Sequence, residues 1–158
     1  MTGSRVVLMC GPAGSGKTTY ARSLDAKGWV RLSIDEEAWR LGHREMPLPD
    51  AVAESIRADQ RERLVQFVRA GRDVVVDYSL WRRADRDEYR ELVRAHGATT
   101  EVVHLRVSRD EVRRRMGGRN RGELEANSFR IDAGLLESYL DSFESPSPEE
   151  TDVRTIEG

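Results

Sequence analysis

The sequence predicts an α/β fold, a mainly parallel sheet covered by helices. Three observations carry that prediction. Apolar runs of strand length occur at Val6-Val7-Leu8-Met9-Cys10 and at Val74-Val75-Val76, and residues 99–107 alternate as a strand does. Segments with helical spacing of apolar residues lie between them, several closed by a glycine. Strands alternating with helices are joined by crossovers, which make neighbouring strands parallel.

Each element follows in order. The run from Val6 to Cys10 is apolar without alternation, as a strand buried on both faces must be. After it, residues 17 to about 27 have helical spacing, with Tyr20, Ala21 and Leu24 on one side and Gly28 as a stop. Residues 29–34 read as a second short strand and 35–41 as a helix, followed by a loop around Met46-Pro47-Leu48-Pro49. A longer helix is expected from about 50 to 70, carrying Ile56, Leu64, Phe67 and Val68 inward, with Gly71 closing it. Val74-Val75-Val76-Asp77 is the next buried strand. A helix over about 84–95 turns Tyr89, Leu92 and Val93 inward and precedes Gly97. Residues 99–107 alternate like a strand, although His104 is out of place within it. Ser108 caps a helix through about Met116. The stretch Gly117-Gly118-Arg119-Asn120-Arg121-Gly122 reads as a flexible, basic loop. A last helix covers about 132–143, Ser145-Pro146-Ser147-Pro148 turns the chain, and residues 153–156 add an edge strand.

The 158 residues suit one domain, 1–158, with a single core. A net charge of −2 gives no cause for strong non-specific nucleic-acid binding, though a local basic patch stays open. Cys10, the lone cysteine, cannot form an internal disulfide and reads as a small core residue in a reducing, cytoplasmic setting. Met1-Thr2-Gly3-Ser4-Arg5 leads directly into the first apolar run, so no signal peptide is expected, and no stretch is apolar enough for a membrane span. His43, His96 and His104 lack metal-ligand spacing.

The sharpest motif is Gly11-Pro12-Ala13-Gly14-Ser15-Gly16-Lys17-Thr18, a P-loop of the pattern Gly-x4-Gly-Lys-Thr between a strand and a helix. Its glycines let backbone N–H groups approach phosphates, and the helix N-terminus adds a field that favours negative charge. Gly11, Ala13, Gly14, Ser15, Gly16, Lys17, Thr18 and Thr19 are the expected nucleotide-binding residues. Lys17 would reach the β- and γ-phosphates of ATP, and Thr18 would ligate Mg2+.

Carboxylates at strand ends supply the rest of such a site. Asp77 closes an apolar strand as an acid near the metal should, or caps a loop. Tyr78, Trp81 and Arg82 follow and either line an acceptor pocket or pack and solvate the sheet edge. Ser33-Ile34-Asp35-Glu36 stands where open α/β sheets place ligands. Asp35 could accept the proton of an acceptor hydroxyl, with Glu36 beside it. The same residues also have helix-capping spacing, Ser33 to Glu36, with Asp35 a good cap.

A basic stretch follows the fourth strand. Arg115 lies beside the inward stripe of Val112 and Met116, while Arg119 and Arg121 fall on the glycine loop. Closing over a triphosphate, Arg115 and Arg119 would stabilise transferring charge and exclude water. The plain alternative is a solvated face with Asp110–Arg114 and Glu111–Arg115 pairs. Within Trp81-Arg82-Arg83-Ala84-Asp85-Arg86, Arg82 or Arg86 could bind a substrate anion, or the alternating charge could mark a solvated helix face.

Together these residues resemble the small bacterial P-loop kinases of the AAA-like and zeta-toxin-like ATPase group. Chloramphenicol phosphotransferase, gluconate kinase and the kinase domain of polynucleotide kinase are more distant relatives. The resemblance rests on Gly11–Thr18, Ser33-Ile34-Asp35-Glu36 and Gly71-Arg72-Asp73-Val74-Val75-Val76-Asp77. It rests also on Trp81-x-Arg83-Ala84-x-Arg86-Asp87-x-Tyr89, Arg115-x3-Arg119-Asn120 and Phe143-Glu144-x-Pro146. It implies a three-layer P-loop NTPase fold, a five-stranded parallel sheet in the order 2-3-1-4-5 with helices on both faces and a lid at about 117–130. It also implies transfer of the γ-phosphoryl group of ATP to a hydroxyl, with Asp35 matching the family's base and Arg115 and Arg119 its lid arginines. The extra helical elements and length of the zeta toxins are missing, so a nucleotide-sugar acceptor does not follow from it.

A kinase of a small hydroxyl compound is the reading these residues favour. A polynucleotide 5′-hydroxyl kinase would need a basic groove, against the net charge and an acidic C-terminal segment of Glu137, Asp141, Glu144, Glu149, Glu150 and Asp152. A regulatory ATPase or nucleotide switch without an acceptor is the third possibility. No Asn-Lys-x-Asp guanine-reading motif is present, the helical domain of AAA+ motors has no room, and no ABC signature appears.

Overall fold

The computed structural model of the chain describes residues 3–45, 47–121 and 131–158, with side chains throughout except at 119–121. Strand β1 (Arg5–Cys10) is the middle of the sheet because its apolar residues serve both faces. Val6, Leu8 and Cys10 join a cluster with Leu64, Val68, Tyr89 and Val93, whereas Val7 and Met9 join one with Ala21, Val103 and Leu105. A strand so buried has no room for polar alternation, which explains the run seen in the sequence.

Around it the chain runs α1 (Lys17–Asp25), β2 (Val30–Leu32), α2 (Ile34–Arg40), α3 (Asp50–Arg69), β3 (Val74–Val76), α4 (Arg83–Ala95), β4 (Thr99–Arg106), α5 (Arg109–Arg121), α6 (Ala133–Ser142) and β5 (Val153–Glu157). The five strands are parallel in the order β2-β3-β1-β4-β5. This is the three-layer fold and order that the resemblance implies. Helices α3 and α4 fill one face and α1 the other. The carboxyl ends of β1, β2 and β3 thereby converge on one edge, where Gly11, Ser33 and Asp77 follow them.

The basic glycine stretch departs from expectation. Helix α5 does not stop near Met116 but continues through Gly117 and Gly118 to Arg121. Glycine in a helix costs about 1 kcal/mol relative to alanine. Against that stand the burial of Val112 and Met116 and the pairing of Glu111 with Arg114 and Arg115 and of Asp110 with Arg113. Arg119 and Arg121 therefore sit on helical backbone, and the remainder of the expected lid, 122–130, lies outside the described residues. Helices α5 and α6 share a cluster of Val112, Met116, Ile131, Leu136 and Leu140, against which Ala13 of the P-loop packs.

A second departure lies under α4. Arg86, read as an anion binder or a solvated residue, is fully buried. Its Nε and one terminal nitrogen donate to the two oxygens of Glu150 at 2.8 and 3.1 Å. The other terminal nitrogen donates to the carbonyls of Leu80 and Glu144, both at 2.9 Å. Arg90 beside it holds Asp152 through two bonds of 2.9 and 2.7 Å. Burial pushes the Glu150 carboxyl up, but Arg86, the Ser147 N–H and Arg90 outweigh it and bring its pKa down to about 2. The C-terminal acids are thus largely consumed by arginines: Glu137 pairs with Arg113, and Asp141 with Arg109.

His104 also finds its explanation. It is buried at the level of Cys10, stacks on Phe143 at 6.1 Å, and burial with nearby Arg86 and Arg106 lowers its pKa, so it remains neutral in the core.

Candidate functional site

The loop between β1 and α1 owes its shape to backbone that side chains disfavour. Gly14 and Gly16 have φ of 78° and 98°, the left-handed region that glycine occupies without a steric penalty. A Cβ on Gly11 would fall 2.6 Å from Ser15 Oγ, and one on Gly14 3.3 Å from Met116 Sδ. The Gly11 N–H donates to Ser79 O at 3.2 Å, tying the loop to the segment after β3. Ser15 N–H turns back to Pro12 O at 3.1 Å, and Lys17 Nζ donates to the same carbonyl at 3.0 Å.

Helix α1 starts without a side-chain cap, because Gly16 holds the N-cap position, and without an acid in its first turn. Its first N–H groups have no intrahelical acceptor by construction, and the dipole end is positive. Ser15 Oγ is buried without a hydrogen-bond partner among the described residues. Thr19 is exposed on the first turn, and Ala13 is held by the α5–α6 cluster. An uncapped, backbone-lined helix start with an orphaned hydroxyl fits a phosphate chain.

Asp77 meets this loop from the end of β3. Thr18 Oγ1 donates to Asp77 Oδ2 at 3.2 Å. One hydroxyl and one carboxylate side by side fit Mg2+, which keeps several waters and takes phosphate oxygens rather than a protein cage. No group of three or more His, Cys, Asp or Glu side chains that could hold a metal ion occurs among the described residues.

Arg31, on β2, reaches the same carboxylate oxygen through Nε at 2.9 Å and a terminal nitrogen at 2.8 Å. Its other terminal nitrogen donates to the carboxylate of Glu36. The side chains of Arg31 and Asp77 are 6% and 2% exposed, that of Glu36 58%. The sequence reading missed Arg31. Its one signal is a charged residue amid the apolar residues of a three-residue strand, Val30-Arg31-Leu32.

At the start of α2, Ser33 is the N-cap, its Oγ accepting from Glu36 N–H at 3.1 Å. The capping role considered for Asp35 therefore belongs to Ser33. Asp35 lies exposed in the first turn, close enough to Tyr139 of α6 that burial, Asp35 and Asp132 together raise the phenol's pKa. The Glu36 side chain turns to Arg31 instead of closing a capping box. A cleft of about 590 Å3 opens beside it, lined by Arg31, Ser33, Glu36, Arg40, Gln60 and Arg63, among others.

Tyr78 packs into the core under the sheet edge, the plainer of the two readings. It is buried, donates to Gln60 Oε1 at 2.6 Å and meets Tyr89 edge-on at 5.7 Å, so its hydroxyl is spent inside the protein. Gln60 in turn donates to Ser33 O at 2.9 Å, linking α3 to the start of α2. Its place on the inward stripe of α3, between Ile56 and Leu64, was the unused clue. Trp81 is half-buried, edge-on to Tyr139 at 5.5 Å, with the exposed Arg82 guanidinium 5.4 Å from its ring. The backbone before it is strained: Leu80 has φ of 38°, and Arg86 holds its carbonyl.

Arg115 comes onto the loop from α5 and donates to Gly14 O at 3.0 Å while Glu111 holds its Nε at 2.9 Å. The side chain of Arg119 lies outside the described residues. Lys17, Thr18, Asp77 and Arg115 are thus brought to one loop, and Asp35 stands across the same sheet edge.

Residues 6–146 match the family model for the AAA domain. The chain belongs to that family. No curated protein matches it. A gluconokinase from Sinorhizobium meliloti 1021 is 25% identical, with 98% of this chain and 82% of that one aligned and a TM-score of 0.64. A sugar kinase from Janibacter sp. HTCC2649 is 22% identical over 99% and 86% of the two chains, TM-score 0.65. A chain of the Pnkp1/Rnl/Hen1 RNA repair complex is 15% identical over 90% and 44%, TM-score 0.73. This AAA domain therefore has the nucleotide-binding fold of P-loop kinases. Among its described residues no helix is long and apolar enough to cross a membrane.

Proposed function

We propose that the protein is a phosphotransferase that moves the γ-phosphoryl group of Mg-ATP to a hydroxyl of a small molecule in the cytoplasm. The observation that carries this reading is the P-loop with its uncapped helix start, Thr18 of which donates to Asp77 Oδ2 at 3.2 Å. The 25% identity to a gluconokinase supports a small-molecule acceptor.

In this reading the N–H groups of residues 13–19 hold the phosphate chain, and Lys17 leaves Pro12 O for the β- and γ-phosphoryl oxygens. Thr18 and Asp77 hold Mg2+, which when bound would neutralise charge on those oxygens. Asp35 orients the acceptor hydroxyl and takes its proton as the hydroxyl oxygen bonds to the γ-phosphorus. The bond from that phosphorus to the β–γ bridging oxygen breaks, and ADP leaves with the bond's electrons. Arg115 stabilises the transferring charge from Gly14, and Arg119 joins it from the lid. Trp81 and Arg82 border the acceptor beside Asp35 and Glu36. Positioning and electrostatics supply the rate, since the transition state asks little covalent chemistry of the protein.

The test is ADP release across a panel of hydroxyl compounds and oligonucleotides, with Lys17→Ala as the blank. Stimulation by a small hydroxyl compound, absent in the blank, is the expected result. Stimulation by 5′-hydroxyl oligonucleotides alone would assign a polynucleotide kinase, and ADP release indifferent to every acceptor a nucleotide switch.

A further inference from the structure

We propose that Arg31 is a positioning residue that couples the metal side of the site to the acceptor helix α2. The inference rests on the nucleotide-site reading above and deepens it. Three hydrogen bonds converge on a single oxygen, Asp77 Oδ2: one from Thr18 at 3.2 Å and two from Arg31 at 2.9 and 2.8 Å. Oδ1 takes none of them. A carboxylate clamped through one oxygen has a fixed orientation, and its other oxygen is aimed by that clamp. The clamp is itself adjustable, because the remaining guanidinium nitrogen is held by Glu36, whose side chain is 58% exposed on α2.

The chain Thr18–Asp77–Arg31–Glu36 therefore runs from the first turn of α1 to the first turn of α2, next to Asp35. A cation drawing on Thr18 Oγ1 or the Asp77 carboxylate changes what Oδ2 offers Arg31. A planar fork transmits that change, since both nitrogens facing Asp77 and the one facing Glu36 belong to one rigid group. Outer partners of a metal-holding carboxylate commonly carry about ten- to a hundredfold of its metal affinity. Coupling of this kind must also be reciprocal in binding free energy.

The experiment uses ATP as the probe, with Mg2+ or with EDTA. In the wild-type protein, backbone hydrogen exchange of α2 (Ile34–Arg40) is compared between ATP–Mg2+ and ATP–EDTA, and a Mg2+-dependent change in α2 is expected. Calorimetry then compares Arg31→Lys, which keeps the charge and loses the fork. The gain in ATP affinity conferred by Mg2+ should fall about tenfold or more, with ATP affinity in EDTA unchanged. Equal α2 exchange with and without Mg2+ overturns the coupling, and needs no variant that must fold. A folded Arg31→Lys with an undiminished Mg2+ gain overturns the positioning role. Wild-type protein that binds ATP no better than Lys17→Ala overturns the underlying nucleotide reading, and this proposal with it.

Discussion

Two buried arginine–carboxylate pairs flank the sheet, and they are built for different ends. Arg86 faces both oxygens of Glu150, and its remaining nitrogen is taken by two backbone carbonyls. Every partner belongs to the frame: Cys10 on β1, the strained turn at Leu80 and the segment from Glu144 to Glu150. Arg31 instead crowds one oxygen of Asp77 and reaches out to an exposed acid. The first pair is saturated and closed. Among the described residues the second takes its hydrogen bonds on one carboxylate oxygen, beside a hydroxyl and the P-loop. The two pairs are distinguished by how partners are spread over the carboxylate, not by burial or charge.

Breaking the closed pair should produce the largest loss of stability. Arg86→Met takes the two-pronged partner from buried Glu150 and leaves it only Arg90, at 2.8 Å, and the Ser147 N–H, so about 3 kcal/mol should be lost in chemical denaturation. Arg86→Met with Glu150→Leu should recover part of that loss, because no charge is then stranded. A double variant no more stable than the single one would show that the carbonyls of Leu80 and Glu144, not Glu150, are what Arg86 serves.

Acid should loosen the same pair. The folded Glu150 carboxyl titrates at about 2 against an ordinary value of 4.5, so it is depressed on folding. Its contribution is fully present above about pH 4.5 and disappears as pH falls toward 2. Asp152 is lowered too, with burial opposing and Arg90 and Thr100 prevailing, and it adds to the same trend. Denaturation midpoints measured from pH 6 down to pH 3 should fall, and Glu150→Gln should flatten that decline without abolishing it. A slope unaltered in Glu150→Gln would remove Glu150 from the acid response.

The contrast also explains what the sequence could and could not tell. The P-loop is local: eight consecutive residues, a strand before and a helix after, all required by one piece of phosphate chemistry. The sheet order came with the resemblance, and the strands themselves from apolar runs that only a doubly covered sheet needs. The Arg86 clamp is not local. Its partner lies 64 positions away, and Trp81-Arg82-Arg83-Ala84-Asp85-Arg86 alternates charge just as a solvated face does. Helical phase was the clue that went unused. Arg86, Tyr89, Arg90 and Val93 share the buried stripe of α4, so two arginines had to find acids. Arg31 escaped for a similar reason, since its partner Asp77 is brought near only by the pairing of β2 with β3. Gly117 and Gly118 misled in the opposite sense: local propensity said loop, and tertiary anchoring of Met116 won.

A smaller effect is expected where the polar link is neutral. Tyr78→Phe removes the hydroxyl from Gln60 and leaves its Oε1 unpaired in a buried place, at a loss of about 1–2 kcal/mol. Since the Tyr78 ring is core and not pocket, the Michaelis constant for the acceptor should be unchanged. A selective rise in that constant would return Tyr78 to the acceptor site.

The smallest stability change is expected at Asp35, and there the distinction between frame and site is sharpest. Ser33, not Asp35, accepts the N–H of the first turn, so Asp35→Asn leaves the cap in place and gives up a favourable charge at a helix N-terminus. That is worth about 0.3–1 kcal/mol at an exposed position and is weakened by salt. Ser33→Ala should cost about 1 kcal/mol, because it removes the cap itself. If Asp35 is the base, the order reverses for turnover. Asp35→Asn should lower phosphoryl transfer by about 10²–10⁴-fold with ATP affinity preserved, while Ser33→Ala changes transfer far less. Asp35→Asn that lowers denaturation midpoints as much as Ser33→Ala and leaves transfer intact would make the carboxylate part of the frame. The acceptor's proton would then need another destination.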